Sequence, residues 1–95
     1  MIRSRIVGTG RAVPARKLTN DDLSKMVDTS DAWIVERTGI CERHILEPSL
    51  AASDLATEAS QKVCRAAGVD STAVDCIIVG IVTGDCLFLV TATFV

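Results

Sequence analysis

Ninety-five residues hold at most one small domain, and an apolar share of 48% excludes a disordered tail. A net charge of −2 makes no electrostatic case for nucleic acid or an anionic membrane. The four cysteines, Cys41, Cys64, Cys76 and Cys86, make no C-x-x-C pair and there is one His, so no metal site is expected and reduced thiols in a cytoplasmic protein are the simplest reading.

The start of the chain carries no long apolar run with a cleavage site, so no secretory signal is expected. Residues 2–8 are expected to form a first strand, with Ile2, Ser4 and Ile6 on one face and Arg3, Arg5 and Val7 on the other. Gly8-Thr9-Gly10 should end it in a tight turn; no third glycine follows at the dinucleotide spacing. Pro14 keeps the next segment extended. Thr19 or Asn20 can cap a short helix with Asp21 and Asp22 in its first turn and Leu23, Met26 and Val27 as its apolar stripe. A second helix follows almost at once: Ser30 is a good N-cap, Asp31 places charge in the first turn, and Gly39 can end the helix in the left-handed conformation. The two helices make an insert at about 20–39 on an α/β body.

Residues 41–46 should be extended, and their His44 is read as structural, because no Cys or Ser nucleophile has a local relation to it. Glu47-Pro48-Ser49 is a turn. A helix from about Ala52 to Ala67, ended by Gly68, presents Leu55, Ala59, Val63 and Ala67 on one face, widened by Ala56, Cys64 and Ala66. Those small side chains predict close packing on a sheet or a partner helix. Cys76-Ile77-Ile78-Val79-Gly80-Ile81-Val82 is a β-branched run without alternation, the pattern of a strand buried on both faces in a parallel sheet. Strand, helix and strand in this order predict a right-handed crossover. Residues 77–95 carry one charge, Asp85, but Gly80, Gly84 and the β-branched density argue against a membrane span.

Two residues in the second helix carry the clearest chemistry. Trp33, the only Trp, and Arg37 stand four residues apart and share one helix face. A flat ring beside a cation suits a nucleotide: the ring stacks on a base and the guanidinium meets a phosphate. The competing reading is a core Trp with an Arg extending past it.

The stretch Asp28-Thr29-Ser30-Asp31-Ala32-Trp33-Ile34, followed by Arg37-Thr38-Gly39-Ile40 and Glu42-Arg43-His44, resembles the N-terminal region of β-ketoacyl-acyl-carrier-protein synthase III. The likeness reaches back through Asn20–Val27 and Pro14 to Ile6-Val7-Gly8-Thr9-Gly10, and forward to about Phe88. It implies an α/β fold, the N-terminal part of a thiolase-like layered αβαβα architecture that is incomplete in this chain, with residues 1–95 as a partial domain. It also implies an acyltransferase of fatty acid biosynthesis that joins an acyl group from coenzyme A to malonyl-acyl carrier protein, with the coenzyme A thioester as substrate and no separate cofactor. By position, Trp33 would stack on the adenine of coenzyme A, Thr29 would lie beside it, and Arg37 would lie near the phosphates. Phe88 would reach across the interface of a homodimer to line the partner's acyl pocket; its other reading is a core Phe.

The chain departs from that family. Its members are several-fold longer, and the resemblance places their nucleophilic Cys, catalytic His and Asn beyond this sequence. No catalytic residue is therefore expected among these 95, and the chain alone should not condense acyl groups. Cys41 stands where an Arg is common, and Leu89 and Val90 where Pro and a small polar residue are usual. Two other readings stay open: a non-catalytic interaction module, including a truncated gene product, with Leu87, Phe88 and Leu89 as a self-association surface, and a thiolase-fold enzyme with another acyl starter.

Overall fold

The computed structural model describes residues 1–86 and 91–95. Cα packing divides the chain into two units, residues 13–48 and residues 1–12 with 49–95.

The first unit is a β-α-α-β element. Strand β1 (Arg16–Thr19) pairs antiparallel with β2 (Glu42–Ile45), in the register Arg16↔Ile45 to Thr19↔Glu42. Pro14 and the extended reading of 41–46 anticipate both strands. Helices α1 (Asn20–Ser24) and α2 (Asp31–Thr38) lie between them in sequence. Thr19 starts α1 with a reciprocal cap: the Asp22 N–H donates to Thr19 Oγ1 at 3.2 Å, and the Thr19 N–H and hydroxyl both donate to Asp22 Oδ2. Ser30 starts α2 by accepting from the Trp33 N–H at 3.2 Å, and Gly39 ends it at φ 70°, where a side chain would be strained. The α1 stripe is shorter than expected: Leu23 is half-buried, while Met26 and Val27 fall beyond the helix end and are exposed.

The second unit is organised on α3 (Ala52–Ala67), which has the predicted bounds and ends at Gly68 with φ 66°. Its Leu55, Ala59, Val63 and Ala67 are half-buried, as the stripe requires; Ala66 is exposed. The partner of this stripe is the N-terminal backbone. A Cβ on Gly10 would lie 2.6 Å from the Ala59 carbonyl and 2.7 Å from the Val63 nitrogen; one on Gly8 would lie 3.1 Å from the Ala67 Cβ. The two glycines therefore permit backbone to rest on a helix built of small residues, and neither has a positive φ. This corrects the tight-turn reading. The N-terminus of α3 has no capping side chain at Ala51. Instead the Ala51 N–H donates to Asp54 Oδ2 at 2.8 Å, and the Ser53 N–H donates to Asp85 Oδ1 at 3.1 Å, from 32 residues away. Short 3₁₀ turns follow at Ser71–Ala73, capped by Asp70, and at Thr91–Phe94.

Neither residues 2–8 nor residues 76–82 form a strand, so the parallel crossover is absent from the described residues. Ile78 is 91% exposed and Val82 is fully exposed. The composition of 76–82 encodes burial on both faces, but a strand exists only through its ladder partners, and no described segment supplies them. No described helix is long and apolar enough to cross a membrane.

Candidate functional site

The site is built on α2. Its buried anchor is Ile34, 8% exposed, which turns the opposite side of the helix outward. Trp33 is 52% exposed, so the core reading of that ring does not hold. The Arg37 guanidinium carbon sits 4.3 Å from the ring centroid. That is a cation–π contact, made possible by the i, i+4 spacing on one helix face. The guanidinium covers one face of the indole and leaves the rest of a large aromatic surface open to solvent.

Beside the ring lies an open hollow of about 350 Å³ lined by Asp28, Thr29, Ser30 and Trp33. Thr29 and Trp33 thus share one wall, and Arg37 flanks the ring one turn later. A flat heterocycle could stack on the indole with polar groups of the 28–30 loop at its edge. The guanidinium supplies fixed positive charge for an anionic group attached to it.

Beneath the helix is a polar cluster. Asn20 is 1% exposed. Its Nδ2 donates to Asp31 Oδ1 at 2.8 Å and to the Ile40 carbonyl at 2.7 Å. Its Oδ1 accepts from Arg43 Nη2 at 2.7 Å, while Arg43 Nη1 donates to the Leu18 carbonyl. The Asn20 N–H also donates to the Cys41 carbonyl at 3.2 Å. In the sequence Asn20 stands out only as a possible cap. The available signal was an amide standing just inside a better cap, Thr19, where its side chain was free for another task.

His44 has the structural role expected of it. Its Nδ1 meets the Pro14 carbonyl, which can only accept, so the proton is on Nδ1 and the ring ties β2 to the segment before β1. The cysteines are all free; Cys64 is half-buried on α3 and the others are exposed. Phe88, with Leu87 and Leu89, lies outside the described residues. A larger hollow of about 810 Å³, along the C-terminal half of α3, has no aromatic side chain in its lining.

No family model matches the chain. The β-ketoacyl-[acyl-carrier-protein] synthase III of Xanthomonas oryzae pv. oryzae (strain MAFF 311018) is 55% identical over 91 residues, 96% of this chain and 28% of that protein. The chain matches the amino-terminal part of β-ketoacyl-[acyl-carrier-protein] synthase III. The crystal structure of synthase III from Thermus thermophilus superposes with a TM-score of 0.79 at 42% identity, covering 95% of this chain and 28% of that one. The priming β-ketosynthase of the R1128 polyketide pathway superposes with a TM-score of 0.69 at 34% identity, over 75% of this chain and 21% of its own. The fold is accordingly the expected α/β segment of a thiolase-like synthase. The chain spans about 28% of the length of the synthase III relatives it matches.

Proposed function

We propose that this chain forms the coenzyme A-facing part of a β-ketoacyl-acyl-carrier-protein synthase III, the acyltransferase that begins fatty acid synthesis by joining an acyl-coenzyme A starter to malonyl-acyl carrier protein. The exposed Trp33 ring, held under the Arg37 guanidinium and beside the Thr29 hollow, carries this reading. Trp33 stacks on the adenine, Thr29 lines its edge and Arg37 meets a phosphate. Coenzyme A acts as the substrate's carrier and not as a resident cofactor. In this reading the enzyme works in the cytoplasm as a homodimer, and Phe88 lines the partner's acyl pocket.

The covalent step belongs elsewhere. A condensing nucleophile needs a thiolate activated by a base or a helix N-terminus. Cys64 lies in the last half of α3, away from its N-terminus, and Cys41, the thiol nearest His44 in sequence, turns to the Gly39 carbonyl and not to the imidazole. The 95 residues alone are therefore expected to bind coenzyme A without making β-ketoacyl product. Titration of the purified, mass-confirmed protein tests both halves. Quenching of the single Trp by coenzyme A, with no mass gain from acetyl-coenzyme A and no product, is the expected result. A blue-shifted, unresponsive Trp removes the binding claim, and measurable product removes the inactivity claim.

The exposed apolar run favours a second reading, a self-associating module. Ile78 and Val82 present bare β-branched surface of the kind that pairs with another chain. Obligate assembly or poor solubility is expected, relieved in an Ile78→Lys, Val82→Lys variant. A monodisperse parent monomer on sedimentation that melts cooperatively would discard it. The likeness to the R1128 priming ketosynthase keeps another acyl starter open within the leading reading.

A further inference from the structure

We infer that Asn20 is the positioning residue of the Trp33 face. The inference deepens the proposed coenzyme A site and rests on that reading for its link to ligand. Its structural part stands on the Asn20 contacts alone.

Asn20 holds both ends of α2. One Nδ2 hydrogen goes to Asp31, the first residue of the helix, and the other to the carbonyl of Ile40, just past the Gly39 stop. Its Oδ1 takes a hydrogen from Arg43 on β2, and Arg43 also reaches the Leu18 carbonyl on β1. One buried amide thus connects both helix ends to both strands. The rotation of α2 decides where Trp33 and Arg37 point, so the amide sets the direction of the face.

Only an amide satisfies this arrangement. Asp31 and Ile40 need donors and the Arg43 guanidinium needs an acceptor, and the Asn side chain offers two donors and an acceptor in one plane. Its dipole also runs from the Asp31 carboxylate toward the Arg43 guanidinium, each end facing the charge it stabilises. A carboxylate at this position would face Asp31 with like charge and leave the Ile40 carbonyl without its donor. An apolar side chain of equal size would break all three bonds at once, leaving Asp31 and the exposed Ile40 carbonyl to solvent and the half-buried Arg43 without its acceptor, so nothing would tie the helix ends to the strands.

The test uses Trp33 as reporter in Asn20→Ala, Asn20→Asp, Asp31→Asn and the double variant Asn20→Asp, Asp31→Asn. Asp31→Asn alone keeps an oxygen for the Asn20 amide and should match the parent. Asn20→Asp should change the Trp33 emission maximum and its quenching by acrylamide, and weaken coenzyme A binding about tenfold, the equivalent of losing one hydrogen bond's differential. The double variant exchanges donor and acceptor between positions 20 and 31, and should recover part of both signals. A merely structural Asn20 would lower the melting temperature and leave the emission and acrylamide quenching of the still-folded protein at the parent values. That result, or a double variant that recovers nothing, overturns the inference. If Asn20→Ala does not fold, the Asn20→Asp series decides. If the parent fails to bind coenzyme A, the proposed function falls, while the Trp33 emission series still decides the role of Asn20.

Discussion

Residues 13–48 and the rest of the chain solve the same problem in opposite ways. The first unit has few buried apolar side chains but closes its polar accounts locally. Thr19 and Asp22 satisfy each other, Ser30 and Gly39 bound α2, and Asn20 meets three partners within its own unit. The second unit holds a long helix and most of the β-branched residues, yet Ile77, Ile78, Ile81 and Val82 stay exposed. Local hydrogen bonding completes a structure with little chain, whereas a two-faced strand needs neighbours that arrive from elsewhere.

The comparison breaks most visibly at Gly10. An added methyl would sit 2.6 Å from the Ala59 carbonyl, closer than any Cβ contact tolerates, and that atom is helix backbone that cannot swing away. Gly10→Ala should cost about 1–3 kcal/mol, as overpacking does, and should lift the N-terminal segment from α3 while leaving unit 13–48 intact. Amide exchange resolved by residue would show faster exchange along α3 and unchanged protection at Asn20 and Ile34. Equal loss in both regions would mean that they do not melt as separate units.

A smaller effect is expected at Asp85. Its carboxylate supplies the cap that Ala51 cannot, and Ser53 beneath it is buried. Asp85→Ala should destabilise the start of α3 by about 1 kcal/mol, the usual value of a lost cap. The exchange rates of Ser53 and its neighbours report it, and Asp85→Asn should retain most of the bond through its amide oxygen.

The sequence disclosed most where the physics is short-range. The caps of α1 and α2, the left-handed Gly39 and Gly68, the bounds of α3 and its stripe all follow from residues within a few positions of one another. So does the Trp33–Arg37 pair, although spacing alone could not say whether the ring faced core or water. Three features were hidden because their partners are distant in sequence: the Gly10 contact with α3, Asp85 capping Ser53, and the Asn20–Arg43 bond. The strand reading of 76–82 failed for the converse reason. Its composition records a buried environment and says nothing of which segments provide it.

The smallest predicted effect is acid sensitivity, and its sign differs from a general loss of charge. Asp22 is held below the ordinary carboxylate range chiefly by the Thr19 hydroxyl, and Glu42 by its hydrogen-bonded ion pair with Lys17 at 2.9 Å. In the second unit Asp70 is lowered by the Thr72 N–H and hydroxyl. A carboxyl group whose folded pKa lies below its unfolded one stabilises the fold above the unfolded value, near 4, and loses that contribution as pH falls through the folded value. Unit 13–48 should therefore loosen at the Thr19 cap and the Lys17–Glu42 rung as pH drops from about 5 toward 2, and the Ser71–Ala73 turn in the other unit should respond through Asp70. Salt separates the two contributions in the first unit. High ionic strength screens the exposed Lys17–Glu42 pair and should erase its share of the pH dependence, while the Thr19–Asp22 bond between a hydroxyl and a carboxylate keeps its own. Carboxyl titrations followed by NMR at low and high salt would show Glu42 rising toward its ordinary value and Asp22 staying low; if both rise together, charge and not the cap governs the start of α1.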